Sequence, residues 1–307
     1  MQQKGKHLFK CSVGVIAYNE EKNIGCLLNS LLMAKTDNFV LHELYVISDG
    51  SVDRTNEIVK EFSERDRRIK LIAQDKREGK ARAVNRFLKN AKGDICILSS
   101  ADIGITDVTI QNLCTPLIME NKVGMTGCNP IPLIKSENFL GYIIHFWWFA
   151  HNRLPRFGEM VAFKNILNEI DGTTAVDEAF IEKQISQKGL QLKHVSTAVI
   201  YNLGAETLND LLKQRKRINI GHIYLNKIQG YRVNSFNIIK IFSLAIKYWK
   251  RSSTLKHLIW LIGGALLETY CRISARMSIY FLKENPFIWE IACTTKGKIK
   301  SFSHDSI

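Results

Sequence analysis

Short apolar runs alternate with stretches of helical periodicity through the first half of the chain. Five runs have the length and composition of buried strands: residues 13–18, 44–48, 69–73, 94–98 and 123–127. After the first run, Ile24, Leu27, Leu28 and Leu31 recur at the spacing of one helix face, and Asn19 is predicted to cap that helix. The alternation predicts an α/β fold whose sheet is mostly parallel, Rossmann-like and flanked by helices.

Polar residues stand where three of these strands end. The first strand runs into Asn19-Glu20-Glu21, the second into residues 49–55, and the fourth into residues 99–102. In an open α/β sheet, ligands bind outside the carboxyl ends of the strands. No Gly-x-Gly-x-x-Gly follows the first strand, and no Gly-Lys-Ser or Gly-Lys-Thr occurs. The sequence therefore argues against a dinucleotide fold and against a P-loop.

Asp102 is the candidate cation ligand at this edge. It follows the small residues Ser99-Ser100-Ala101 at the end of an apolar strand. Mg²⁺ and Mn²⁺ take few protein oxygens and keep their other ligands for water and phosphate. A lone carboxylate beside small residues therefore suits a cation that bridges two phosphates. The alternative is that Asp102 only caps the next turn.

Composition is that of a globular protein. The chain has 307 residues, of which 46% are hydrophobic and 23% charged, enough for one large domain or one domain with an appendage. The seven cysteines lack metal-ligand spacing and most lie in apolar runs, which predicts reduced thiols in a cytosolic protein. Residues 1–10 are basic and polar, so no signal peptide is expected there.

Positive charge is concentrated towards the C-terminus. The net charge is +14, and residues 231–307 carry twelve Lys or Arg against four Asp or Glu. Such a segment contacts either nucleic acid or an anionic membrane surface. It is also rich in Ile, Leu, Phe, Trp and Tyr, which favours the membrane and argues against nucleic acid. We expect one domain at residues 1–230 and a helical, membrane-associated appendage at 231–307.

Two amphipathic helices are predicted in this appendage. Residues 236–249 place their polar side chains on one helical stripe. Residues 258–282 are long enough to span a bilayer, but Glu268, Arg272 and Arg276 would be costly inside it without partners. We expect helices that lie in the membrane surface with these charges towards water. A true span and a soluble helical cap on the first domain are the alternatives.

Six short motifs follow one another within residues 10–225. They are Ala17-Tyr18-Asn19-Glu20-Glu21, residues 49–55, residues 79–85, Ser100-Ala101-Asp102, Asp177-Glu178, and Gln214-Arg215-Lys216-Arg217. In order and spacing they resemble the family 2 glycosyltransferases, inverting enzymes of the GT-A fold that use a nucleotide-diphosphate sugar. Each motif alone is weak, whereas six in order are specific. The resemblance implies a GT-A fold, a bound Mg²⁺ or Mn²⁺ ion and a sugar-nucleotide donor.

The resemblance also implies the donor site. The base and ribose pocket would be lined by Ala17, Tyr18 and Glu20. Asp49 would reach the base, and Lys80, just after a glycine turn, would lie near the diphosphate. The alternatives are that Asp49 and Asp53 are turn and helix-capping residues, and that Lys80 is a solvated lysine.

Asp102 matches the metal-binding aspartate of the family's Asp-x-Asp signature. The first aspartate of that signature is replaced here by Ser100, which would still contact the donor ribose or sugar. One carboxylate on the metal side is therefore missing. Weaker or less specific use of the metal is expected.

The pair Asp177-Glu178 matches the family's acidic pair in reversed order. Inverting transfer needs a carboxylate that deprotonates the acceptor hydroxyl. By its spacing to Gly189, Glu178 occupies the position of the base, with Asp177 beside it. Neighbouring carboxylates raise each other's pKa, which suits a base. The alternative is a structural pair at the N-terminus of a helix.

The segment Gln214 to Arg217 matches the family's Gln-x-x-Arg-Trp element, with Ile218 in place of Trp. On a helix, Gln214 and Arg217 share one face, where the guanidinium would bind the diphosphate or brace the acceptor site. His222 lies on a neighbouring part of that face. The alternatives are a solvated or membrane-facing charge stripe and a structural histidine.

Residues 139–153 hold a dense set of aromatic side chains. In a soluble protein they would pack in the core, but beside a basic amphipathic tail they are candidates for docking on the bilayer near a lipid-borne acceptor. Residues 158–164 resemble the acceptor-loop strand of the family. Glu159 in this segment is a candidate acceptor contact.

Taken together, the sequence predicts an inverting glycosyltransferase on the cytoplasmic side of the cell membrane, held there as a peripheral or monotopic protein. The expected donor is a UDP-sugar and the expected acceptor a lipid-linked or glycan molecule. Several spanning helices that would form a pore are missing, so a single transfer is expected. Two alternatives stay open: a non-catalytic sugar-nucleotide-binding or membrane-scaffold protein of the same fold, and a nucleotidyltransferase.

Overall fold

The centre of the fold is a mixed β-sheet with helices on both faces. The computed structural model describes residues 8–154, 157–230, 238–281 and 297–299. Within them the strands are β1 (Phe9–Ala17), β2 (Phe39–Ser48), β3 (Ile69–Ala73), β4 (Ile95–Ser100), β5 (Ile103–Ile105), β6 (Val123–Pro132), β7 (Met160–Lys164) and β8 (Gln191–Asn202). The helices are α1 (Ile24–Leu32), α2 (Thr55–Arg65), α3 (Lys80–Asn90), α4 (Thr109–Met119), α5 (Phe139–His151), α6 (Asp177–Gln187), α7 (Leu208–Gln229), α8 (Ile238–Trp249) and α9 (Leu255–Tyr280).

The strands lie in the order β3-β2-β1-β4-β7-β6-β8-β5. The half from β3 to β4 is entirely parallel, and β6 pairs with β8 in parallel. β7 runs antiparallel to β4 and β6, and β5 antiparallel to β8. The predicted mostly parallel α/β sheet is confirmed, and the five predicted strands correspond to β1, β2, β3, β4 and β6. β5 and β8 were not predicted, because β5 has only three residues and β8 begins with half-exposed polar positions.

Strand β4 explains why the central strands are continuous apolar runs. Ile95 and Ile97 pack in the cluster that includes α1 and α4. Cys96 and Leu98 pack in the cluster on the other face, with side chains of α3 and α6. Because helices cover both faces, successive residues are all buried. Burial of each large aliphatic side chain stabilises the sheet by about 1.5–3 kcal/mol.

The first helix begins later than predicted, because Asn19 is not its cap. Asn19 has a positive φ of 52°, a conformation that Asn tolerates better than most residues. Its Oδ1 accepts the N–H of Val52 at 2.9 Å, and its own N–H donates to Ser51 Oγ at 3.0 Å. Asn19 thus joins the loop after β1 to the loop after β2, and α1 starts at Ile24.

The C-terminal helices pack on α5. The ring of Tyr142 stacks on His257 with centroids 4.4 Å apart, and both Tyr142 and Phe146 contact Tyr248, at 5.1 and 5.5 Å. No residue from 139 to 152 is exposed. The expectation that residues 139–153 dock on a bilayer is therefore wrong for α5, where Phe139, Tyr142, Phe146 and Phe149 pack with side chains of α8 and α9.

Helix α9 turns charged side chains towards α7. Glu268 pairs with Arg215 at 2.8 Å and with Arg272 at 2.8 Å, and Asn219 donates to it at 3.3 Å. This corrects the expectation that all three predicted charges face water, since Arg276 alone among them is exposed. Phe236, Asn237 and Leu282, at the ends of the two predicted segments, lie outside the described residues.

The opposite face of α9 is apolar and exposed. Its members are Leu255, Ile259, Ile262, Leu266, Tyr270, Ile273, Met277 and Tyr280. On α8, Ile239, Phe242 and Ile246 are exposed as well. By length and composition, α9 is the one helix in the described part of the chain that could cross a membrane. We refer to these exposed residues of α8 and α9 as the apolar face.

Candidate active site

The carboxyl ends of β1, β2 and β4 meet at one edge of the sheet, beside the start of β7. The parallel register places Ile16 next to Ser100, and the antiparallel register places Ser99 opposite Met160. Residues of α5, α6 and α7 form the rest of the wall. The cavity that they form has a volume of about 330 Å³, which is the size of a small-molecule site.

All of the predicted site residues line this one cavity. They are Ala17, Tyr18, Glu20, Asp49, Lys80, Ser100, Asp102, Asp177, Glu178, Gln214 and Arg217. The fold thus brings together residues from the beginning of the chain to α7. In particular, Asp102 and Glu178 share a cleft, as the sequence-based hypothesis requires. The individual role of each residue stays a prediction.

Asp49 anchors the turn that leads into α3. Its Oδ1 accepts the N–H of Glu78 at 2.6 Å, and its Oδ2 accepts the N–H of Gly79 at 3.0 Å. Gly50 has a φ of 73°, and a Cβ there would lie 2.5 Å from the backbone nitrogen of Arg77, so the two loops can meet only at a glycine. Asp49 therefore acts at least as a turn residue, the alternative raised from the sequence. Its contact with a base stays a prediction.

Asp53 is likewise a structural residue. Its Oδ1 accepts from the backbone N–H and the hydroxyl of Thr55, at 3.0 and 2.5 Å, at the start of α2. Its Oδ2 accepts the N–H of Glu21 at 3.1 Å. The carboxylate therefore stabilises the N-terminus of α2 and links this helix to the loop after β1.

Arg77 was missed in the sequence. Its guanidinium carbon lies 4.3 Å from the centroid of the Tyr18 ring, and both residues line the cavity. This cation–π contact orders the tyrosine and adds a positive charge beside the predicted base pocket. Position 77 belongs to none of the six motifs, so only its place just before the Gly79 turn hinted at a role.

Lys80 joins the two ends of the site. It is the first residue of α3, after Gly79 with a φ of 97°. Its Nζ lies 3.2 Å from Asp177 Oδ2 and donates a hydrogen bond to Glu178 Oε1. Asp177 and Glu178 begin α6, where the helix dipole favours negative charge. Lys80 is therefore not the solvated lysine that the sequence left open.

The surroundings shift the pKa values of Asp177 and Glu178 in opposite directions. Burial, with a further contribution from the charge of Glu178, raises the pKa of Asp177 to about 6 despite Lys80. Burial also acts to raise the pKa of Glu178, but the charge and hydrogen bond of Lys80 outweigh it, so that pKa lies below its ordinary value. The expectation that mutual repulsion raises the pKa of Glu178 is wrong, because the rise falls on Asp177. At neutral pH Glu178 is ionised and able to accept a proton.

Asp102 and Glu159 form the part of the cavity suited to a cation. Burial raises the pKa of Glu159 to about 7, and the charge of Asp102 adds to this rise. Two carboxylates that repel each other fit a divalent ion between them. Within the described residues, no three His, Cys, Asp or Glu side chains are grouped as a metal site. A cation held here would complete its coordination with diphosphate oxygens and water.

Helix α7 contributes cationic and polar side chains. Gln214 and Arg217 share the face that was predicted, and buried His222 joins them in the cavity wall. Burial lowers the pKa of the Arg217 guanidinium, and the surrounding carboxylates oppose this effect. The group remains charged, because an arginine starts from such a high pKa. Arg217 is thus a fixed cation facing the cavity.

Helix α5 forms an aromatic wall that was also missed. Trp147, Trp148 and His151 line the cavity. The Arg215 guanidinium carbon lies 4.6 Å from the Trp147 centroid and connects this wall to α7. Flat aromatic surfaces with polar edges suit ligands that are partly apolar. The aromatic density of residues 139–153 was the available signal, but it was assigned to a bilayer surface.

Comparisons with known proteins agree with this geometry. The model described as "Glycosyl transferase family 2" matches residues 12–178, more than half of the 307 residues. A dolichyl-phosphate β-glucosyltransferase of Trichomonas vaginalis is 32% identical over 117 residues, 35% of this chain and 36% of that protein. A poly-β-1,6-N-acetyl-D-glucosamine synthase of Staphylococcus aureus is 25% identical over 215 residues, 65% and 51% respectively. The chain spans about half or less of each relative's length.

A solved structure shares the fold. The mannosyltransferase PcManGT from Pyrobaculum calidifontis, determined with GDP-Man and Mn²⁺, matches over 91% of this chain and 89% of that chain. The TM-score is 0.61 and the sequence identity 19%. At this identity the likeness establishes the fold alone. The predicted GT-A architecture is confirmed.

Proposed function

The chain belongs to glycosyl transferase family 2, and we propose that it is an inverting enzyme that moves one sugar from a nucleoside-diphosphate donor to a lipid-linked or glycan acceptor. The observation that carries the proposal is one cavity lined by Asp102, Lys80 and Glu178. A diphosphate needs cations around it, and an acceptor hydroxyl needs a base. The cavity contains both kinds of group.

The donor would lie along the carboxyl ends of β1, β2 and β4. Ala17, Tyr18 and Glu20, which line the cavity, would hold the base and ribose, and Arg77 packs on Tyr18. We favour a UDP-sugar. The diphosphate would then reach Lys80 and Arg217, whose cations fit phosphate oxygens. Asp49 supports this arrangement through the turn that carries Lys80.

The transfer itself would take place at the side of the cavity that Glu178 lines. The acceptor oxygen attacks the anomeric carbon from the face opposite the diphosphate, and its proton passes to Glu178. The bond from that carbon to the diphosphate oxygen breaks, and the nucleoside diphosphate leaves with the electron pair. Lys80 and Arg217 offset the negative charge that develops on the leaving group. A Mg²⁺ or Mn²⁺ ion bound at Asp102 would supply further neutralisation.

We also propose that the enzyme docks on the cytoplasmic face of a membrane through the apolar face. Exposed cations accompany that face: Lys240, Lys247, Lys250, Arg251 and Lys256. Apolar side chains flanked by Lys and Arg are the composition of helices that lie on anionic bilayers. Since α5 lies between the cavity and these helices, a lipid-borne acceptor would approach along the aromatic wall. The related dolichyl-phosphate β-glucosyltransferase carries a lipid phosphate in its name, which supports this acceptor class.

An in-plane position suits α9 better than a span. Glu268 is tied to Arg215 of α7, and the side chains of both are about 15% exposed or less. Gly264 packs so closely on α5 that a Cβ there would lie 2.6 Å from Ile143. A spanning α9 would have to give up these contacts and bring Glu268 into hydrocarbon.

A donor panel tests the proposal. The protein is incubated with Mn²⁺, a polyprenyl phosphate or oligosaccharide acceptor, and UDP-glucose, UDP-N-acetylglucosamine or GDP-mannose, and release of nucleoside diphosphate is measured. Release from one donor, increased by one acceptor and abolished in a folded Asp102→Ala variant, is the expected result. Absence of release from every donor and acceptor would favour the binding or scaffold protein that the sequence left open.

A further inference from the structure

Because Ser100 replaces an aspartate, the proposed cation site lacks one carboxylate. Another carboxylate, that of Glu159, lies next to this position, just before the neighbouring strand β7. In the antiparallel register, Ser99 lies opposite Met160, so Ser100 neighbours Glu159. The Ser100 N–H donates to the Glu159 carbonyl at 3.0 Å. Glu159 therefore lies beside Ser100, the last residue of β4 and the position at which the signature aspartate is missing, two residues before Asp102.

The backbone of Glu159 is unusual for its residue type. Its φ is 62°, in the left-handed region that glycine and asparagine occupy easily and glutamate does not. Among the described non-glycine residues, only Asn19 and Ser253 share a positive φ. Strained residues of this kind persist where the side chain has a task that outweighs the strain. Here the strain brings a carboxylate to the cavity instead of leaving a glycine at the turn.

The Glu159 side chain lies among charged groups that all belong to the site. It lines the cavity together with Asp102, and the charges of Asp102, Lys80 and Arg217 all act on it. Its backbone is fixed by the pairing of β7 with β4. Two carboxylates that repel each other in one cavity are unfavourable on their own, and a divalent cation bound by both removes the repulsion.

We propose that Glu159 is a second protein ligand of the divalent cation, beside Asp102, in place of the aspartate that Ser100 replaces. This inference rests on the proposed donor site and assigns Glu159 a different role from the acceptor contact expected from the sequence. The cation would be held by one carboxylate from the loop after β4 and one from the residue just before β7. Oxygens of the donor diphosphate would complete the site.

Mn²⁺ titration tests the inference without turnover. Free Mn²⁺ is followed by electron paramagnetic resonance in the presence of UDP and, separately, GDP. Glu159→Gln keeps the shape of the side chain and is expected to weaken Mn²⁺ binding by about tenfold or more, since loss of even a supporting group at a metal site has an effect of that size. Glu64→Gln, which removes one exposed carboxylate on α2, is the charge-matched control and should bind like the wild type.

Two further variants separate metal binding from folding. Glu159→Gly relieves the positive φ, so its melting temperature should equal or exceed that of the wild type while Mn²⁺ affinity falls. Ser100→Asp restores the signature aspartate, so Ser100→Asp combined with Glu159→Gln should recover Mn²⁺ affinity to within about threefold of the wild type, as ligand number sets cation affinity.

The outcomes distinguish this inference from the proposed function. If the wild type binds Mn²⁺ with UDP or GDP and Glu159→Gln binds it equally well, Glu159 is not a ligand, and the donor site stands. If the wild type binds no Mn²⁺ with either nucleotide, the proposed donor site fails and this inference with it. A Glu159→Gly variant that keeps full Mn²⁺ affinity would also overturn the inference.

Discussion

Two clusters of cations and carboxylates are largely buried in this protein, and they have opposite compositions. In the first, Lys80 serves two carboxylates, Asp177 and Glu178. In the second, one carboxylate, Glu268, is shared by Arg215 and Arg272. All three members of the first cluster line the cavity, whereas in the second cluster Arg215 lines it and Glu268 and Arg272 do not.

The difference separates chemistry from structure. In the first cluster the negative charge exceeds the positive, so one carboxylate is available to accept a proton and the neighbours set its pKa. In the second cluster, two cations neutralise the single carboxylate of Glu268. This carboxylate is therefore not available to accept a proton and instead links α7 to α9. A partly buried carboxylate that faces a cavity and shares one cation with a second carboxylate is a candidate proton acceptor, whereas a carboxylate paired with two cations outside the cavity wall has a structural role.

The largest effect is expected from Glu178→Gln, which removes the proton acceptor from the first cluster. Turnover should fall by about 10³-fold, since a positioned general base contributes in the range of roughly 10²–10⁴. Donor binding, measured by calorimetry, should persist. The matched control is Glu182→Gln, one turn further along α6, whose side chain accepts the N–H of Phe157 and does not line the cavity. Equal losses in the two variants would contradict the assignment of the base.

Glu268→Gln breaks the second cluster and should act on stability. The change leaves two arginines without their shared carboxylate. The free energy of unfolding should fall by about 2–3 kcal/mol, because removal of one member of a buried ion pair leaves charge uncompensated. Urea denaturation followed by circular dichroism measures it. Glu120→Gln, in an exposed pair with Lys193, is the control and should cost below about 1 kcal/mol. A variant that unfolds like the wild type would show that α9 needs no such tie.

Asp177 makes the first cluster sensitive to pH in a direction that can be measured. Its pKa of about 6 in the folded protein exceeds the ordinary value of 3.8, so the folded state gains from protonation. This contribution to stability is present below pH 3.8 and is lost as pH rises through 6. Relative to the wild type, Asp177→Asn should therefore gain about 2–3 kcal/mol of unfolding free energy across that window. A difference between the two proteins that stays constant with pH would contradict the assignment.

The smallest effects are expected from the apolar face of α8 and α9, which lies outside both clusters. Ile262→Ser and Phe242→Ser each remove one exposed apolar side chain from the apolar face. Each should reduce sedimentation with vesicles of anionic phospholipid by about fivefold, or about 1 kcal/mol, because these side chains are only partly buried on docking. Met119→Ser, an exposed apolar residue of α4, is the control. Unchanged binding in both α8 and α9 variants would exclude this face as the docking surface.

The donor side of the cavity could be predicted because its signals are local. Buried strands are short apolar runs, and the polar residues directly after them, such as Asp49 and Asp102, arrive at one sheet edge whatever the rest of the chain does. The turn around Gly79 carries its own conformational signature, a φ of 97°. Motif order then supplied the remaining positions.

The other features depend on partners distant in the sequence. Lys80 and Glu178 are 98 residues apart, and Arg215 and Glu268 are 53 apart. Sequence periodicity does not show which distant residues meet in the fold. It could therefore not predict which carboxyl of the pair Asp177-Glu178 has the higher pKa, or that charged side chains of α9 turn towards α7. Glu159 was placed in a strand by resemblance, but its closeness to Asp102 follows only from the β4–β7 register.

A structure of the protein with a nucleoside-diphosphate sugar and Mn²⁺ tests the central claim most directly. We expect the anomalous signal of manganese beside Asp102 and the diphosphate against Lys80 and Arg217. Glu178 should face the anomeric carbon of the sugar. Nucleotide or manganese bound away from this cavity, or a sugar whose reactive carbon is turned from Glu178, would contradict the account.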